Sequence, residues 1–87
     1  MNDAQTEIFR KDILNALLAS EPNIPGLDVS SIWVGVRSLG HTKITPAETL
    51  EHIEYLQQKG FIAEVEKKIS KAHRCWRITD EGRRLLD

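Results

Sequence analysis

At Gly60 the apolar residues of this chain change period. Before it Leu50, Ile53 and Leu56 recur every three positions, the spacing of one helical face. After it Phe61-Ile62-Ala63-Glu64-Val65-Glu66 alternates apolar with polar once past its first pair, as a half-buried strand does. A chain that switches period in this way carries helix and sheet in one fold. Arg74-Cys75-Trp76-Arg77-Ile78 alternates again, so residues 61–66 and 74–78 are expected to pair as an antiparallel hairpin. The chain has 87 residues, room for one domain over 1–87 and too few for a large enzyme fold.

The helix boundaries are written in caps. Thr45-Pro46-Ala47-Glu48 combines a Thr N-cap, Pro at the first helical position and a Glu three residues on to close a capping box. It predicts a third helix over 46–59 that stops at Lys59-Gly60. Upstream, Ile8, Phe9, Ile13, Leu14, Leu17 and Leu18 make an apolar stripe from Thr6 to Ser20, ended by Glu21-Pro22. Asp28 is the expected N-cap of a second helix, with Val29, Ile32, Trp33, Val36 and Leu39 on its inner face and Gly40 as a left-handed stop. Leu27 and its neighbours read as a short extended piece. Thr79 caps a last helix from Asp80 to Leu86, in which Gly82 reads as a close-packing site against the first helix.

The order helix, helix, helix, basic-tipped hairpin, short helix resembles the winged helix-turn-helix superfamily. Residues Gly40 to Leu86 carry the likeness. Leu56-Gln57-Gln58-Lys59-Gly60-Phe61-Ile62 is similar to the junction where a recognition helix turns through glycine into the first wing strand. Trp76-Arg77-Ile78-Thr79-Asp80-Glu81-Gly82-Arg83-Arg84-Leu85-Leu86 is similar to the strand-to-helix segment of the MarR-, PadR- and ArsR-like branches. The resemblance implies an α+β winged helix-turn-helix fold, with a three-helix core, a C-terminal β-hairpin wing and a short last helix. The connection from Gly40 to Thr45 is longer than the tight turn of a simple helix-turn-helix.

Charge must be read by segment, because 12 Lys plus Arg against 13 Asp plus Glu leave a net charge of −1. That balance excludes an evenly basic nucleic-acid coat but leaves local patches open. Lys67, Lys68, Lys71, Arg74 and Arg77 fall in eleven residues without an acid, with His73 among them. The resemblance lays such a wing along a DNA backbone, where neutralised phosphates release counterions and carry affinity without sequence information. The alternative is a lysine-protected strand edge. On the third helix the outward positions are expected from Glu48, Thr49, Glu51, His52, Glu54, Tyr55, Gln58 and Lys59. Thr45, Thr49 and His52 are the candidates to reach bases, and Lys43 the candidate to hold a phosphate. Protonation of His52 or His73 below about pH 6.5 is expected to add charge there and strengthen binding. Three glutamates on this helix oppose a polyanion and favour a basic protein partner instead.

Other chemistries have little to stand on. His41, His52, His73 and Cys75 lack the paired spacing of a zinc site, and no serine sits in a nucleophile–base arrangement, so neither a metal, a cofactor nor an enzyme activity is expected. Trp33 and Trp76 read as packing residues. One cysteine and no apolar run near the roughly 20 residues of a membrane span point to a cytoplasmic protein without membrane contact. Two readings remain open: a transcriptional regulator of double-stranded DNA, working as a homodimer on two half-sites, or a winged-helix module that binds a protein partner through the acidic face of helix 45–59.

Overall fold

Four local caps start the four helices of the computed structural model, which describes residues 2–21, 26–65 and 74–87. Helix α1 spans Asp3–Ser20 and α2 Val29–Ser38, while α3 spans Pro46–Gln58 and α4 Asp80–Leu86. Asp28 accepts from Ser31 N–H, Thr45 from Glu48 N–H and Thr79 from Gly82 N–H, as the sequence predicts for these three helices. Helix α1 begins three residues before the apolar stripe suggested, because Asn2 and Gln5 form a reciprocal capping box. Gly40 and Gly60 both sit at positive φ, +110° and +83°, where a side chain would strain the backbone.

The sheet has three strands. Strand β2, Ile62–Val65, pairs antiparallel with β3, Cys75–Ile78, in the register Ile62↔Ile78 to Val65↔Cys75. The short extended piece at Leu27–Asp28 is strand β1, which pairs with the other edge of β3, so the order is β1-β3-β2. Phe9, Ile13, Leu14 and Leu17 of α1 form the centre of the core with Ile32, Val36, Ile44, Ile53, Leu56, Ile62, Trp76 and Ile78.

Three inward expectations need correction. Leu39 is 52% exposed, because α2 has ended by that residue and the chain turns off its buried face. The close approach at Gly82 is to the β2 entry: a Cβ there would lie 2.2 Å from Phe61 O and 2.8 Å from Ile78 Cγ1. Cys75, expected half-buried, is 7% exposed, since the chain at Gly26 lies against it: a Cβ there would stand 3.4 Å from the Cys75 Cβ.

The hairpin is closed at its neck. Thr79 N–H donates to Phe61 O at 3.1 Å, and Thr79 Oγ1–H donates to Gly60 O at 2.7 Å. The long α2–α3 connection is fastened too, by Trp33 Nε1–H donating to Ile44 O at 2.8 Å and by the buried Ile44 side chain. Among the described residues no helix is long and apolar enough to cross a membrane.

Candidate nucleic-acid interface

Helix α3 is packed on one side and bare on the other. Thr49, Ile53 and Leu56 are buried, whereas Ala47, Glu48, Glu51, Glu54, Tyr55 and Gln58 are exposed. The inner face is therefore centred on spacings of four and three from Thr49. Thr49, expected outward, has no exposed surface, and its hydroxyl donates to Thr45 O at 2.9 Å. A threonine whose hydroxyl is satisfied one turn back can be buried like a valine, so it lies out of reach of any ligand on the outer face.

His52 also faces inward. Its Nδ1 accepts from Arg10 Nε–H at 3.2 Å, and its ring meets the Phe9 ring edge-on at 4.9 Å between centroids. Phe9 also meets the His41 ring edge-on, 5.0 Å away, and His41 Nε2 is 2.6 Å from the Asp12 carboxylate. Burial and the Arg10 charge lower the His52 pKa below its ordinary value, opposed by Glu51 and Glu48. Arg10 further places its guanidinium carbon 3.6 Å from the Tyr55 ring centre. Nothing in the sequence pairs Arg10 with α3, because its contacts cross from one helix to another far along the chain.

The start of α3 matches its expected exposure. Lys43 and Thr45 are exposed. The Thr45 hydroxyl accepts from Glu48 N–H at 3.1 Å and donates to Glu48 Oε1 at 3.0 Å, so the Glu48 carboxylate meets the Thr45 side chain, where a capping box would take the Thr45 N–H.

At the foot of the hairpin, Arg74 is engaged by acids. It donates from Nε and Nη2 to Glu64 Oε1 at 3.2 and 3.0 Å, and its Nη1 is 3.6 Å from Glu54 Oε1 on α3. The Glu64 hydrogen bond raises the guanidinium pKa further above its already high value. Trp76 Nε1–H donates to Gln57 Oε1 at 2.8 Å, a second tie between β3 and α3. Arg77, on β3, is exposed. Lys67, Lys68, Lys71 and His73 lie outside the described residues. Among the described residues, no three His, Cys, Asp or Glu side chains gather as a metal site would need.

No protein-family model matches the chain. No curated protein matches it either. Among solved structures, a point mutant of S. aureus MepR, a MarR-family winged-helix regulator, is similar with a TM-score of 0.70 at 19% sequence identity. The likeness covers 97% of this chain, which spans 59% of the length of that one. Helix order, the β2–β3 hairpin that follows α3, the neck at Thr79 and this structural match agree: the chain has the winged helix-turn-helix fold.

Proposed function

We propose that the protein is a DNA-binding transcriptional regulator that sets the N-terminal end of α3 and its basic wing on duplex DNA. The observation that carries this reading is the contact between Arg74 and Glu54. It makes the root of the wing adjoin the bare face of α3, so a helix of groove-filling width and the foot of the hairpin form one surface. Lys43 supplies a phosphate donor and Thr45 a base-edge acceptor at the start of α3, since the Thr45 hydroxyl proton goes to Glu48, while Lys67, Lys68, Lys71, His73 and Arg77 supply the wing's charge. The acidic character of α3 is a smaller obstacle than its sequence suggests. Glu48 is held by the Thr45 hydroxyl and Glu54 is bridged by Arg74, which leaves Glu51 as the carboxylate with neither tie. Regulators with this fold read two half-sites as dimers, so the reading includes a homodimer, acting in the cytoplasm where the DNA is. The structural likeness to MepR, itself a MarR-family regulator, supports it.

A second reading is favoured by one observation: α3 carries no Lys or Arg between Pro46 and Gln58. A face with Glu51 and Glu54 suits a basic protein partner.

A salt titration separates the two. Replacing Lys67, Lys68 and Lys71 together by Gln is expected to weaken binding to all duplexes alike and to lower the slope of log affinity against log salt by up to about three units, roughly 0.9 for each phosphate contact. Absence of wild-type binding to mixed duplex at about 50 mM salt and micromolar protein, where non-specific binders are normally detected, would overturn the DNA reading in favour of the protein partner.

A further inference from the structure

Arg74 immediately precedes β3, and its guanidinium reaches carboxylates on two different elements, Glu64 on β2 and Glu54 on α3. Its Cζ also lies 4.9 Å from the Trp76 ring centre, and that indole is itself hydrogen-bonded to Gln57 of α3. The planar fork is thus occupied on both edges and supported by a ring, the geometry in which arginine acts as a joint between surfaces. A phosphate at Arg74 would have to share the guanidinium with Glu64 and Glu54. Two carboxylates already at that site repel a polyanion.

We infer, resting on the DNA-binding reading above, that Arg74 is a positioning residue: it sets the wing hairpin against α3 through Glu64 and Glu54 and contacts no phosphate. Lysine keeps the charge but lacks the fork, so the two roles respond differently to Arg74→Lys. A phosphate ligand tolerates the change. A joint does not.

The experiment measures duplex affinity against salt for the full chain and its variants, each first checked for an unchanged melting temperature. Arg74→Lys is expected to bind about fivefold more weakly, the scale of an exposed ion pair of about 1 kcal/mol, with the salt slope of the wild type. In a Glu54→Gln background the same substitution is expected to have no further effect, since the two side chains act as a unit. The inference is overturned if Arg74→Lys binds as the wild type does, if Arg74→Gln lowers the slope by the roughly 0.9 of one phosphate contact, or if the Arg74 and Glu54 effects simply add. Loss of the DNA reading itself shows separately, as absence of wild-type binding. In that case the joint is decided by amide shifts: Glu54→Gln should move the β2 amides in the wild type but not in Arg74→Lys, and equal movement in both overturns it.

Discussion

Arg10 Nε–H donates to His52 Nδ1 at 3.2 Å, tying the first helix to the third. A guanidinium has donors only, so the imidazole must keep a lone pair on Nδ1 and carry its proton on Nε2. Protonation of His52 removes that acceptor and sets two cations against each other. Charge gained there is aimed at Arg10, so protonation of His52 works against the packing of α1 on α3.

Stability should therefore fall in acid. Because the folded-state pKa of His52 is depressed, the unfolded chain binds more protons. The contribution is complete above the unfolded value of about 6.5 and is lost as pH falls through the lower folded value. Urea midpoints measured between pH 7.5 and 5, as about the range of imidazole titration, should decline for the wild type and decline less for His52→Gln, whose amide oxygen can still accept from Arg10. Identical pH profiles would remove His52 as the cause.

Thr45→Ala should cost about 1 kcal/mol, the usual worth of an N-cap, because it removes the acceptor for Glu48 N–H and the donor to the Glu48 carboxylate. Chemical denaturation checks it. An unchanged midpoint would show that Pro46 alone starts α3.

Thr49→Val should change stability by less than about 1 kcal/mol, since the lost hydroxyl bond is local and Thr45 O keeps the Thr49 N–H as donor. It should leave preference among DNA sequences untouched, as measured by competition binding, because the side chain is buried. A shift in preference would contradict that burial.

Gly82→Ala should destabilise by about 3 kcal/mol, at the upper end of overpacking costs, despite alanine's better helix propensity. The obstacle is the Phe61 carbonyl, 2.2 Å from the added Cβ, and it is held in place by Thr79 N–H. A thermal melt within about 2 °C of the wild type, well under 1 kcal/mol for a domain of this size, would place the helix farther from the strand.

What the sequence made legible was local. Asp28, Thr45 and Thr79 announce their helices because a cap acts over three residues, and the hairpin shows in its period of two. The inward stripe Leu50-Ile53-Leu56 of α3 does pack on the core, but Thr49 joins it, and a polar side chain looks outward until its hydroxyl is seen to be satisfied by Thr45 O. Strand β1 is too short to carry a period, and it is a strand only because β3 offers a free edge. Arg10 on His52 and Arg74 on Glu54 have no local signature at all. They arise when elements distant in sequence pack, so a reading confined to local pattern does not reach them.

The neck at Gly60, Phe61 and Thr79 anchors the wing to the domain at its foot. The two ends of the hairpin are pinned to each other on the core side by the Thr79 amide and hydroxyl, and β2 and β3 are in register from there to Val65 and Cys75. For a loop closed by such pairing, each doubling of its length costs about 0.6 kcal/mol. The foot of the wing is thus held from the core side by the neck and by the β2–β3 register, independently of the residues that join its two strands.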